Sequence, residues 1–119
     1  FDRLSSFMSD RLDKNGVSPA VVSRMNIVLD ELYSNVVRYS GSSDFIFGVS
    51  VYPGQITLKM EYGGVLLDIT QTKDPDVTLP AGEREIGGLG IFIVRKSMDS
   101  VLYRAEGDRN ILTLKKAFG

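Results

Sequence analysis

The 119-residue chain contains no cysteine and no histidine. Without cysteine it can build no disulfide framework, no thiolate zinc site and no cysteine nucleophile, which fits a reducing, cytoplasmic setting. Without histidine there is no Ser-His-Asp triad, no imidazole metal cluster and no phosphohistidine acceptor. Acid–base chemistry therefore falls to carboxylates, lysine or tyrosine. Charge of one sign is lacking too. Lys and Arg number 14 against 15 Asp and Glu, a formal net charge of −1. With no block of like charge, the chain carries no footprint for nucleic acid or an anionic membrane. No apolar run approaches the ~20 residues that span a bilayer, and no signal peptide is visible. The start at Phe1, without a methionine, is compatible with a domain trimmed from a longer protein.

What is present is ordinary for a globular domain: 43% hydrophobic and 24% charged residues. This length supports one core and one domain, residues 1–119. Leu4, Phe7, Met8 and Leu12 recur at helical spacing until Asn15-Gly16. Ser18 is a good N-cap and Pro19 suits a first helical position; Val22, Met25, Leu29, Leu32 and Val36 then form one stripe ending near Ser40-Gly41. After that the period changes to two. Phe45, Phe47, Val49 and Val51 alternate, Pro53-Gly54 turns, and Ile56, Leu58 and Met60 alternate again, a hairpin over 44–52 and 55–62. A long irregular stretch from Gly63 to Ile86 has the length of a lid or binding loop. Leu89 to Asp99 reads as a third helix, and Val101–Glu106 with Ile111–Lys115 as a second hairpin. The order predicts an α/β (α+β) two-layer sandwich, with a mixed, mostly antiparallel sheet and helices on one face.

Three constellations carry chemistry. Glu31 and Asn35 lie one helical turn and about 40° apart, some 100–140° from the centre of the apolar stripe, so they look outward or into a cleft. Asn35 offers an amide oxygen of the kind Mg²⁺ accepts, and Glu31 a base; Arg24 and Arg38 share that face. The alternative is a solvated polar face. Gly88 and Gly90, opening an apolar helix, let backbone approach a phosphate at a helix start, with Arg84 just upstream; the alternative is a tight turn. Glu61-Tyr62-Gly63 ends the second strand with a carboxylate that can accept from an exocyclic amine and a glycine that admits a flat ring. Thr113, on the polar side of the last strand, offers a hydroxyl beneath that ring; the alternatives are a strand-to-loop turn and a surface threonine.

These pieces occur in a family order. The chain resembles the GHKL (Bergerat-fold, histidine-kinase-like) ATPase superfamily, in particular its anti-sigma-factor serine/threonine kinase branch, over nearly its whole length. Residues Ile27 to Val37, with Glu31 and Asn35 inside, resemble the N-box. Glu61-Tyr62-Gly63 falls where the D-x-G box belongs. Glu85 to Asp99, with Gly87-Gly88-Leu89-Gly90, resembles the glycine box and following helix, and Asn110-Ile111-Leu112-Thr113-Leu114 the closing strand. The resemblance implies an ATP and Mg²⁺ site in which Asn35 holds the metal, Glu31 is the general base, and Gly88, Leu89 and Gly90 cradle phosphates beneath a lid at about 68–86. It also implies a sigma factor and an anti-anti-sigma (STAS-type) protein as partners, serine phosphorylation of the latter, and a homodimer. The departures are Glu61 in place of the adenine-reading aspartate, Val65-Leu66-Leu67-Asp68 in place of a proline-phenylalanine-acid sequence, and Tyr39 where many members have histidine. They weaken the expected adenine specificity, while Glu31, Asn35 and the glycine box argue for phosphate and Mg²⁺ binding. The alternatives are a catalytically inactive scaffold or anti-sigma module, and a regulatory ATPase-like domain of a larger phosphatase or sensor.

Overall fold

A computed structural model describes residues 2–42, 44–66, 68 and 88–118. The elements are α1 (Asp2–Lys14), α2 (Pro19–Ser40), β1 (Phe45–Tyr52), β2 (Gln55–Tyr62), α3 (Gly88–Ser97), β3 (Ser100–Glu106) and β4 (Arg109–Ala117). The long helix starts where its cap dictates. Ser18, extended at φ −62° and ψ 150°, accepts from the Val21 N–H through its side chain, with Pro19 behind it. It stops at Gly41, which adopts the left-handed conformation at φ 70°.

The strands form one sheet in the order β1-β2-β4-β3, and every pairing among the described residues is antiparallel. Alternation sorts the sheet into two faces. Ile56, Leu58, Met60 and Tyr62 of β2, with Leu112 and Leu114 of β4, are fully buried against Met25, Leu29, Leu32 and Val36 of α2 and against Ile91 and Val94 of α3. Met8 and Leu12 bring α1 into the same core over β1. The other face stays open: Ile46 and Leu102 on it are both 62% exposed. The expected two-layer arrangement is therefore the observed one.

The third helix ends at Ser97, two residues earlier than its pattern suggests. The Asp99 N–H donates to the Lys115 carbonyl, 2.9 Å, and the Asp99 carboxylate accepts from the Ala117 N–H, so this residue already steers the chain into β3. The last strand in turn runs further than its apolar alternation, reaching Ala117. The lid expected at about 68–86 lies outside the described residues except for Asp68.

Candidate functional site

The connections bring four chain segments to one end of the sheet. Ser40, at the end of α2, accepts from the Val65 N–H at 2.9 Å, so the C-terminal half of α2 lies over the end of β2. Tyr62, in the last position of β2, pairs with Asn110 near the start of β4. The third helix delivers its own C-terminus to the opposite end, where Ser100 pairs with Lys115. There Ile93 and Ser97 share a groove with Ala20, Ser23, Arg24 and Ile27 from the first half of α2. The two helices therefore run antiparallel, and α3 opens at the end that holds Asn35, Tyr62 and Asn110. Gly88, Leu89 and Gly90 form its first turn, whose N–H groups have no intrahelical acceptor and lie at the positive end of the helix dipole.

Asn35 is the polar group that this packing encloses. It is 3% exposed, and its Nδ2 has no hydrogen-bond partner among the described residues. Of the two orientations that the sequence leaves open, outward or into a cleft, burial excludes the first. The flank of α2 that carries Asn35 also carries buried Val28 and is the flank turned to α3, so the neighbouring helix covers it. Glu31, one turn earlier, is half-buried and lines, with Ser5 of α1 and Asn26, Ile27 and Asp30 of α2, an open groove of about 540 Å³. Arg38 is exposed in the last turn of α2. Arg84 lies outside the described residues.

The turn after β2 is pinned to this end by a dense set of bonds. Gly64 has φ +77°, and a Cβ there would stand 2.1 Å from the Ser40 carbonyl oxygen. The Gly63 N–H donates to Ser42 Oγ at 3.1 Å. Asn110, fully buried, donates from Nδ2 to the carbonyls of Tyr62, Gly63 and Val65 at 3.4, 3.2 and 3.1 Å. Its Oδ1 accepts from the Tyr103 hydroxyl at 2.6 Å.

Two expected nucleotide contacts face the wrong way. Glu61 alternates with Met60 and Tyr62, so the pleat turns it to the open face. Its carboxylate accepts from Arg109 Nε at 3.2 Å, while Nη1 and Nη2 of the same guanidinium hold Asp44 bidentately at 2.9 Å each. That guanidinium keeps the Asp44 carboxyl below its ordinary value. Thr113 pairs with exposed Lys59 and exposed Leu102, likewise on the open face. Gly63 is buried, with Arg109 Nη1 3.1 Å from where its Cβ would stand. The structure thus places Asn35 and the start of α3 at one end, with Glu31 one helical turn before Asn35, and leaves Glu61 and Thr113 on the far side of the sheet.

In their place on the helix face stand Tyr62 and Asn110. Tyr62 is fully buried, and its hydroxyl has no hydrogen-bond partner among the described residues. Burial, with Tyr103 and Asp68 nearby, pushes its phenol above the ordinary value, so it stays protonated. The signal for both residues was in the alternation: Tyr62 shares parity with Ile56, Leu58 and Met60, and Asn110 with Leu112 and Leu114.

The profile of the histidine kinase-like ATPase domain matches residues 2–116. The chain belongs to this family. Among solved structures it is similar to the Acinetobacter baumannii histidine kinase AdeS, with a TM-score of 0.59 and 18% identity. That alignment covers 98% of the present chain and 61% of the kinase chain, so the domain spans about three-fifths of that structure. Curated protein sequences show no match. At this identity the structural likeness speaks for the fold alone.

Members of an ATPase family bind ATP, usually with Mg²⁺, and the residues at the two ends of this site fit that ligand unequally. Among the described residues no group of three or more acidic, histidine or cysteine side chains could hold a metal. A single amide at Asn35 would suit Mg²⁺, which keeps several waters and takes phosphate oxygens for the rest. The unmet Nδ2–H is a donor, which an acceptor on the ligand such as a phosphate oxygen can satisfy, while the metal would take the amide oxygen. At the β2 end, the carboxylate expected to read the base is absent from the helix face.

Proposed function

We propose that the domain binds a magnesium nucleoside triphosphate at the end of the sheet where α2 and α3 meet. The observation that carries this reading is the enclosed side chain of Asn35, whose Nδ2 has no hydrogen-bond partner among the described residues, at the end where α3 opens. The amide oxygen of Asn35 would hold the metal, and the first-turn N–H groups of Gly88, Leu89 and Gly90 would hold phosphate oxygens. Bound there, Mg²⁺ supplies neutralisation of phosphate charge.

By its resemblance to the anti-sigma branch, the domain acts as a serine kinase on a STAS-type partner and holds a sigma factor, working as a homodimer. Glu31, half-buried one helical turn before Asn35, takes the proton of the attacking serine hydroxyl. Its substitution separates binding from transfer. Glu31→Ala should keep ATP affinity within about 3-fold and lower phosphoryl transfer to a serine-bearing partner by about 100-fold or more. Loss of binding and transfer together, or of neither, contradicts the role.

A second reading has its own support. Glu61 is tied to Arg109 and the Tyr62 ring fills the helix face, which suits a domain that keeps the fold as a protein-binding scaffold. Calorimetry separates the two, since a scaffold gives no heat with ATP, ADP or GTP. A third reading is a regulatory domain of a larger sensor or phosphatase. As this chain has no histidine, a sensor of that kind would carry its phosphoacceptor histidine elsewhere.

A further inference from the structure

We propose that the base of the bound nucleotide meets the Tyr62 hydroxyl, so that the site takes ATP and GTP alike. This deepens the nucleotide reading above and rests on it. The groups that β2 and β4 send to the helix face at this end are few. Glu61 points to the open face and is engaged by Arg109. The Asn110 amide already serves three backbone carbonyls and the Tyr103 hydroxyl. The Asp68 carboxylate lies near both phenols and is itself engaged. That leaves the Tyr62 hydroxyl, buried and with no partner among the described residues.

The chemistry of that group sets the selectivity. A carboxylate only accepts hydrogen bonds, so it favours a base with an exocyclic amine and repels a keto oxygen. A neutral phenol both donates and accepts. It accepts from the amine of adenine or donates to the keto oxygen of guanine, by rotating one hydrogen. Discrimination requires a buried group left unpaired by the wrong ligand, and a phenol is left unpaired by neither purine.

The test is calorimetric titration of the whole domain with ATP, GTP and inorganic tripolyphosphate, each with Mg²⁺. The ATP and GTP dissociation constants should agree within about 5-fold. In Tyr62→Phe, which keeps the ring in the core, both should rise in parallel by about 5- to 10-fold, with the thermal transition retained. A preference of more than about 5-fold for either purine in the natural sequence overturns the proposal. So do Tyr62→Phe affinities equal to those of the parent. Binding of tripolyphosphate without either nucleotide defeats this inference while sparing the phosphate site. Silence from all three ligands defeats the nucleotide reading itself.

Discussion

Glu61 and Tyr62 are consecutive residues of β2, yet they belong to different regions of the molecule. On the helix-covered face, Tyr62 and Asn110 are buried beside the aliphatic side chains of the core, away from bulk water. On the open face, Glu61 sits in a three-residue ion cluster with Arg109 and Asp44, in contact with water. The same two-residue period buries Tyr62 and Asn110 on one face and makes the other a clamp across strand ends. A carboxylate that looks poised for a ligand in the sequence is in fact spent on an ion pair.

Changes that force the two faces apart should be the most damaging. At Gly64 the left-handed backbone and the 2.1 Å approach of a Cβ to the Ser40 oxygen both exclude side chains. Gly64→Ala should therefore cost about 3 kcal/mol or more, read as a fall in denaturation midpoint. A loss below about 0.5 kcal/mol would mean that the turn is not held against α2. Next is Asn110→Ala, which strips three carbonyls of their shared donor and the Tyr103 hydroxyl of its acceptor. About 2–3 kcal/mol of destabilisation is expected by chemical denaturation, and Tyr103→Phe should lose less than Asn110→Ala.

The open face should respond to pH rather than to ligand. Arg109 lowers the Asp44 pKa in the folded chain below 3.8, its ordinary value. The stability this contributes is present above that ordinary value and is lost as pH falls through the lower, folded value. In Arg109→Gln the lowering disappears, so the acid limb of the stability–pH curve should become shallower; an unchanged limb would mean that solvent screens the pair. The smallest effect is expected at Thr113. Thr113→Ala should change stability by no more than about 0.5 kcal/mol and leave ATP affinity unaltered. A large loss of affinity would return this residue to the nucleotide site and upset the division between the faces.

Most of the fold was legible because its local signals agree with one another. The Ser18-Pro19 start, the change from helical to alternating period after Ser40 and the two short turns each specify an element without tertiary help. The ends of α3 and β4 were less so, since Asp99 ends the helix pattern through bonds to β4, which no local window contains. For the site, the pair on α2 was legible in spacing but not in burial. Angles around a single helix leave the flank at 100–140° either outward or in a cleft, whereas α2 is the middle helix, in contact with both α1 and α3. At β2 the polar residue on the helix face is Tyr62, next to Glu61, and at β4 it is Asn110, three positions before Thr113. The chemistry of a carboxylate and a hydroxyl outweighed parity, and parity decides which residue of a strand enters the core.

The proposed nucleotide site depends on Asn35 as its metal-holding residue. Isothermal titration of ATP, with and without Mg²⁺, into the parent domain and Asn35→Ala tests that directly. Affinity in the parent should depend on the metal, and the substitution should abolish that dependence while lowering affinity by about 10-fold or more. Equal affinity in the two proteins, or binding indifferent to Mg²⁺ in the parent, would contradict it.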